Sequence, residues 1–224
     1  MARQQLKPDE YTSEALPYSE RFYVGVDQSL TCTSVATLHQ QKMVIHRIQP
    51  GCMGPERLNI IYDKFRSILG DLTVDAVAIE GYAMGGNGKT FSLGELGGVL
   101  RLACNQDKLP LIEVPPTSLK KFITGKGNNP KTVVLKDLYK KYNLDINDDN
   151  DGDAAALALA CFAYFEEELH LVETYRSDIQ KSAKQIIGTH FNKMTVKAFA
   201  AEMGDDPVWK VEQKRRAKKL HVDH

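Results

Sequence analysis

The sequence predicts an α/β protein with a mixed sheet, and the order of its apolar segments carries that prediction. Three strand-like segments come first, over residues 21–27, 33–39 and 42–49. Strands at 74–80 and 111–114 then alternate with helical patterns. Early hairpins followed by strand–helix alternation are typical of a sheet with both antiparallel and parallel pairs. We therefore expect five strands flanked by helices.

Helical spacing is clearest at Leu58, Ile61, Phe65 and Leu69. The predicted helices cover residues 55–69, 90–106, 115–122, 131–142 and 151 to about 169. Residues 1–20 are polar with two prolines, which indicates a tail or an edge extension. Residues 173–224 predict a basic, helical C-terminal extension, since 176–224 holds eleven basic and six acidic residues, a net charge of +5.

Composition limits the class of protein without naming it. A chain of 224 residues holds one sizeable core, and its 29 basic and 29 acidic residues cancel, so net charge gives no argument for nucleic acid. Four scattered cysteines lack the close spacing of zinc or redox motifs, which favours reduced core residues. With no apolar run long enough for a bilayer and a polar start, we expect a cytoplasmic protein, in the host cytoplasm if it is viral.

Charge is nevertheless unevenly distributed. Residues 145–153 hold five aspartates and no base, whereas 116–141 hold seven lysines, among them Lys120, Lys121 and Lys126. A basic segment beside an acidic cluster suits a polyanionic substrate that approaches a bound cation. The alternative is that these runs are ordinary solvated helix faces.

Three carboxylates adjoin apolar segments where a merely structural acid is unfavourable. Asp27 and Glu80 each end a predicted buried strand, and Asp153 opens the apolar stretch 154–163. Buried carboxylates are normally paired or bound to a metal, and no Lys or Arg adjoins Asp27 or Glu80 in sequence. A hard cation such as Mg²⁺ is the economical partner, which suggests a metal-dependent nuclease.

Each acid also has an ordinary structural explanation. Asp27 is a candidate turn residue, and Glu80 can pair with a distant lysine. Asp153 can serve only to favour a helix start, with Asn150 at the N-cap and the acid three positions in. The conjunction of all three favours the functional interpretation. The glycine-rich loop 85–88 lacks the full spacing of a P-loop and more plausibly forms a mobile loop beside Glu80.

Several motifs together resemble the RuvC family of Holliday-junction resolvases, within the ribonuclease H-like superfamily. Gly25-Val26-Asp27 and Ala78-Ile79-Glu80 are similar to the first two catalytic motifs, and Asp153-Ala154 to the last. Residues 93–98 resemble the glycine-containing helix that follows, and residues 119–131 resemble a segment with two functional lysines, Lys120 and Lys131. The resemblance covers about residues 21–170, so 21–172 is expected to form the nuclease domain.

The resemblance implies a Mg²⁺-dependent endonuclease that resolves four-way junctions by paired nicks, as a homodimer. It implies two ions held by Asp27, Glu80 and Asp153, with Mn²⁺ as a substitute, and Lys131 as a further catalytic residue. The expected DNA contacts are Lys120, Lys121, Lys126, Lys131 and Tyr82. Stacking of Tyr82 on an opened base and packing of Tyr82 on the sheet are equally weighted alternatives.

Two departures from the family pattern indicate a phage-type member. Gln28-Ser29 follows the first acid where most cellular members have Pro-Gly, and Asn150 stands three residues before Asp153 where the family usually has Asp or His. Positions three and four earlier share a helix face with Asp153, so Asn150 or Asp149 is the candidate fourth ligand and Asp151 is not.

Three rival functions remain at this stage. A broader nuclease of the same fold would cut forks, flaps or R-loops as readily as four-way junctions. A junction-binding protein without catalysis would bind DNA and leave it intact. A small-molecule phosphotransferase is disfavoured because the chain has no convincing nucleotide-cradling loop.

Overall fold

A computed structural model describes residues 7–81 and 90–165, and these residues form one mixed sheet covered by helices on both faces. The strands stand in the order β1-β4-β3-β2-β5-β6. Their bounds are β1 Asp9–Thr12, β2 Phe22–Asp27, β3 Thr33–His39, β4 Lys42–Ile48, β5 Val74–Glu80 and β6 Leu111–Val114. The helices are α1 Gly54–Gly70, α2 Thr90–Gln106, α3 Pro116–Thr124, α4 Lys131–Tyr142 and α5 Asp149–Phe165.

The predicted mixed sheet is confirmed, and its topology follows the expected order. β2, β3 and β4 form an antiparallel meander, whereas β5 pairs in parallel with β2 and β6 in parallel with β5. The sheet has six strands rather than five, because Asp9–Thr12 pairs antiparallel with β4. The N-terminal segment is therefore an edge extension over these residues, where the alternative was a tail. Its polar strand shows only half-buried and exposed residues, so it has no apolar signature.

Apolar side chains alternate between the two faces of the sheet and build two cores. Tyr23, Ala36 and Ala78 face α5, whereas Val24 and Val77 face α1 and α2. β2 is the central strand, with β3 on one side and β5 on the other. Its residues are buried from Tyr23 to Asp27, as expected for a strand covered on both faces.

Helix α5 lies unusually close to β2, and Gly25 is the reason. A Cβ atom at Gly25 would stand 2.2 Å from the carbonyl oxygen of Ala154 and 2.2 Å from the amide nitrogen of Ala158. Glycine inside a strand often marks such a close backbone approach. The run of small, buried residues 154–156 on the helix lets the two backbones meet. This contact fixes the start of α5 against the strand that ends at Asp27.

The four cysteines are free, with Cys104 and Cys161 buried and Cys32 and Cys52 half-buried. Burial raises the pKa of the Cys104 thiol to about 12 and keeps it uncharged.

No helix in residues 7–81 and 90–165 is long and apolar enough to cross a membrane. Tyr82, the glycine-rich loop 85–88 and the basic extension 173–224 lie outside the described residues.

Candidate active site

Asp27 and Glu80 lie side by side at the carboxyl ends of two neighbouring parallel strands. The last register pair of β2 and β5 is Val26 with Ile79, one residue before each acid. Alternation along the strands directs both acids to the face that α5 covers, the face of Tyr23 and Ala78. Asp27 is 5 % exposed and Glu80 is half-buried. The two acids share a side-chain hydrogen bond.

Asp153 reaches the same place from α5. This helix begins at Asp149 rather than at Asp151, because Asp148 caps it: its Oδ1 accepts from the amide of Asn150 at 2.9 Å and from that of Asp151 at 3.2 Å. The alternative that Asn150 is the N-cap is therefore wrong. Asp153 lies inside the first turns of the helix and is 7 % exposed. We refer to Asp27, Glu80 and Asp153 as the acid triad.

Mutual repulsion and burial dominate the electrostatics of the triad. Desolvation by burial, followed by the charges of Glu80 and Asp153, raises the pKa of Asp27 to about 8. Burial and the charge of Asp153 likewise raise the pKa of Glu80. The raised pKa values of this pair therefore favour a proton held between Asp27 and Glu80 in the absence of a cation. A bound cation would displace that proton.

Two of the predicted lysines lie near the triad. The Nζ of Lys131, in the first turn of α4, is 3.0 Å from Oδ2 of Asp153, and this lysine side chain is 44 % exposed. Burial acts to lower the pKa of Lys131, but the hydrogen bond and the charge of Asp153 outweigh it, so the pKa of Lys131 is raised overall. The charge of Lys120 lowers the pKa of Glu80. Further along this basic segment, Lys121 is half-buried on α3 and Lys126 is exposed in the turn that follows.

The acid triad suits a hard cation because its donors are carboxylate oxygens, although these side chains are not already arranged around a metal position. Among residues 7–81 and 90–165, no group of three or more His, Cys, Asp or Glu side chains is already arranged around a metal position. The acids are engaged with one another and with Lys131 instead. Three clustered carboxylates nevertheless exceed the charge of the one lysine in contact with them. Carboxylate oxygens are also the ligands that Mg²⁺ prefers, so the residues fit such an ion.

Gln28, the residue after Asp27, links the ends of β2 and β5. Its Nε2 donates to the backbone carbonyl of Glu80 at 3.0 Å. Its Oε1 is buried and accepts no hydrogen bond within the part of the chain that the structure describes. The sequence presented Gln28 only as a departure from the family loop, and nothing in its neighbours signals this cross-strand contact.

Asp151 is a second buried acid on the first turn of α5, and it is fully paired. Its Oδ1 accepts from Ser34 Oγ at 2.7 Å, and its Oδ2 accepts from Nε of Arg47 at 2.7 Å and from Nη2 of the same guanidinium. Arg47 Nη2 also donates to Asp9 at 2.5 Å. We refer to Asp9, Ser34, Arg47 and Asp151 as the anchor network. Sequence spacing set Asp151 apart from the triad but did not reveal these partners.

Comparison with known proteins identifies the family of this chain. The sequence profile described as "Crossover junction endodeoxyribonuclease RuvC" matches residues 23–162, more than half of the chain. The chain belongs to the RuvC family. A relative of that same description from Thermosipho melanesiensis is 34% identical over 149 residues, 62% of this chain and 95% of the relative. One from Carboxydothermus hydrogenoformans is 31% identical over 144 residues, 61% of this chain and 91% of the relative.

Solved structures of low identity show the same fold. RuvC of T. thermophilus in complex with Holliday junction substrate superposes with a TM-score of 0.55 at 20% identity, covering 64% of this chain and 94% of that one. A second structure of Thermus thermophilus RuvC gives a TM-score of 0.53 at 18% identity, covering 63% and 94%. The predicted ribonuclease H-like fold is confirmed, and so is a nuclease of the RuvC family. The RuvC family is one of metal-dependent nucleases.

Proposed function

We propose that this RuvC-family chain is a Mg²⁺-dependent, structure-selective endonuclease that resolves four-way DNA junctions by paired symmetric nicks. The acid triad is the observation that carries the proposal. Its three carboxylates converge from β2, β5 and α5, and burial together with mutual repulsion raises the pKa of two of them. A site that served stability alone would pair these charges.

Asp27, Glu80 and Asp153 would hold two Mg²⁺ ions, with Mn²⁺ as a substitute. When bound, two such ions activate a water molecule and stabilise the departing 3′ oxygen of a phosphodiester. The protein supplies the carboxylates on rigid elements, since Asp27 and Glu80 end buried strands and Asp153 lies on a buried helix. Asp149 and Asn150 are candidates for a further ligand, because both are helical and precede Asp153 by four and three residues.

Lys131 is the candidate catalytic cation for the phosphate. Its ammonium group contacts Asp153 while the side chain stays partly exposed, so it lies between the triad and solvent. Cations that satisfy the triad would free Lys131 to stabilise negative charge on the phosphate. The positive charge of Lys120 also acts on Glu80, where it opposes the rise in the pKa of that acid. Lys120 therefore suits a contact to the DNA backbone. Lys121, Lys126 and Tyr82 complete the proposed DNA interface.

A homodimer follows from the chemistry of the substrate. A four-way junction needs two matched nicks on strands related by symmetry, and one triad makes one nick at a time. Two copies related by a two-fold axis would place two triads on the two opposed strands.

The test is cleavage of a four-way junction with each arm labelled in turn, beside linear duplex, fork and flap of the same sequence. We expect symmetric nicks confined to the four-way junction, dependent on Mg²⁺ and abolished by chelator. Asp27→Asn should bind the junction and leave it intact. Asp107→Asn is the matched control: Asp107, the residue after α2, pairs with Arg66 of α1, and its substitution should leave cleavage unchanged.

Two results would contradict the proposal in different ways. Equal cutting of forks, flaps and four-way junctions would indicate a general branched-DNA nuclease. Junction binding without Mg²⁺-dependent nicks in the native chain would indicate a DNA-binding protein that has lost catalysis.

A further inference from the structure

The start of α5 is attached to the sheet at two points that flank Asp153. On one side, the backbone of Ala154 meets β2 at Gly25. On the other side, Asp151 accepts a hydrogen bond of 2.7 Å from Ser34 of β3. Ser34 is the register partner of Asp27 across the β2–β3 pair. The carboxylate of Asp153 is thus held between a steric contact and a polar contact, both beside Asp27.

The polar contact is strong because its charge is compensated inside the protein. Asp151 is 1 % exposed, and an unpaired carboxylate at that depth would be costly. Arg47 supplies two donors to one carboxylate oxygen, and Ser34 supplies one to the other. Burial opposes protonation of Arg47, but its hydrogen bonds to Asp9 and Asp151 raise its pKa, so the guanidinium stays charged.

We propose that the anchor network is a positioning device for the active site. Ser34 and Arg47 hold Asp151, and Asp151 sets the place of Asp153 relative to Asp27 and Glu80. Asp151 touches none of the reacting groups in this proposal and acts only through the first turn of α5. The inference rests on the proposed function of the acid triad.

The network also recruits a strand that precedes the family match. Asp9 belongs to β1, whereas the match to the RuvC profile begins at residue 23. Arg47 of β4 joins Asp9 to Asp151, so the edge of the sheet is connected to the catalytic helix. The position of Asp153 therefore depends on residues from β1, β3 and β4 that carry no metal ligand.

The experiment compares Asp151→Asn, Ser34→Ala and Ile61→Val with the native chain. Ser34→Ala removes only one hydroxyl and keeps the fold, should Asp151→Asn prove too unstable. Ile61→Val is the stability-matched control, because Ile61 is fully buried on the opposite face with α1. The measurements are melting temperature, the dissociation constant for a four-way junction, the single-turnover cleavage rate, and Mn²⁺ affinity by calorimetry without DNA.

We expect the two network variants to cleave about 10-fold to 100-fold more slowly and to bind Mn²⁺ about 10-fold more weakly, as for other residues that orient metal ligands. Junction affinity should stay within about twofold, since no DNA contact changes. Ile61→Val should lower the melting temperature and change neither rate nor Mn²⁺ affinity.

Native rate and native Mn²⁺ affinity in both network variants, with only a lowered melting temperature, would overturn the inference and leave the network a structural element. Failure of the native chain to cleave the junction is a separate result, which overturns the proposed function. The Mn²⁺ titration still decides the positioning role in that case, because it needs no DNA.

Discussion

The first two turns of α5 carry two buried acids, two residues apart, in opposite circumstances. Asp151 meets a guanidinium and a hydroxyl, and both of its oxygens are satisfied. Asp153 faces Asp27 and Glu80 and has one lysine in contact, at 3.0 Å. The helix thus presents a compensated acid to one part of the sheet and a nearly uncompensated acid to another. Burial alone would have classed the two residues together.

The difference shows how a structural acid is told from a functional one. A paired buried carboxylate holds elements together, and its loss exposes a charge on the partner. Clustered acids with a charge excess are unfavourable in the empty protein and gain most from a cation. Replacement of Asp153 should therefore affect catalysis far more than stability, whereas replacement of Asp151 should lower stability as well as the cleavage rate.

The largest expected effect is on catalysis, from Asp153→Asn. We expect junction cleavage to fall by at least about 10³-fold, some 4 kcal/mol of transition-state stabilisation, because a metal ligand is lost. Junction affinity and melting temperature should be retained, since the substitution removes one of the mutually repelling acids of the triad. Gel-based cleavage and binding assays measure both. Cleavage near the native rate would place the metal site elsewhere and remove the contrast with Asp151.

The second prediction concerns the close contact between Gly25 and α5, the helix that carries Asp151 and Asp153. Gly25→Ala puts a methyl group 2.2 Å from the backbone of α5, so we expect a loss of about 3 kcal/mol or more in the free energy of unfolding. Gly98→Ala is the control, since Gly98 is an exposed position of α2 and nothing lies within 4 Å of its added Cβ. That change should stabilise the helix by about 0.5–1 kcal/mol. Urea titration measures both, and equal stability of the two variants would contradict the close approach.

The third prediction concerns the pH dependence of stability. It tests whether the charges of the acid triad lack compensating partners within the protein. The pKa of Asp27 is raised to about 8 from an ordinary 3.8, so the fold binds a proton that the unfolded chain releases over this range. The contribution of Asp27 to stability is complete below the ordinary pKa and is lost as pH rises through about 8. In chelator, the melting temperature of the native chain should therefore fall between about pH 5 and about pH 8, relative to Asp27→Asn.

Added Mg²⁺ supplies the contrast for this pH series. Bound cations replace the proton on Asp27, so the difference between native chain and Asp27→Asn should no longer decline with rising pH. Thermal unfolding in chelator and in Mg²⁺ gives the four curves. A difference that rose with pH in chelator would mean that Asp27 is a compensated acid, like Asp151.

The smallest effect is expected from Gln28→Ala. The variant loses one hydrogen bond, from Nε2 to the carbonyl of Glu80, worth about 1 kcal/mol. We expect single-turnover cleavage to fall about threefold to tenfold, because the ends of β2 and β5 are less firmly joined. Gln28→Glu is a useful companion, since it replaces the donor with a further acid next to the triad. A faster Gln28→Ala enzyme would show that the link restrains catalysis.

Much of the fold could be predicted from sequence because apolar periodicity marks buried elements. The strand bounds at 33–39, 74–80 and 111–114 and the helix bounds at 90–106 and 131–142 agree with the structure. β1 was not predicted as a strand, since an edge strand of polar residues has no such pattern. The start of α5 was misplaced by two residues, because Asp148 and Asn150 are equally good caps in sequence.

The site was predictable where acids follow strands and not where partners are distant. Asp27, Glu80 and Asp153 stand out by local context alone. Asp151 pairs with residues 104 and 117 positions earlier in the chain, Arg47 and Ser34, and no local signal can reveal such contacts. Catalytic roles for the triad and Lys131, and a phage-type origin, stay predictions.

The close contact between Gly25 and α5 affects how this enzyme folds during its synthesis on the ribosome. Gly25 and its partner Ala154 are separated by roughly 130 residues, so the contact forms by closing a long chain segment. Contacts of such sequence separation slow folding. Asp27 and Glu80 emerge early in synthesis, but their sheet face stays uncovered until α5 follows. The nascent chain therefore carries Asp27 and Glu80 without Asp153, the third acid of the triad, until α5, the last helix of the described core, is made.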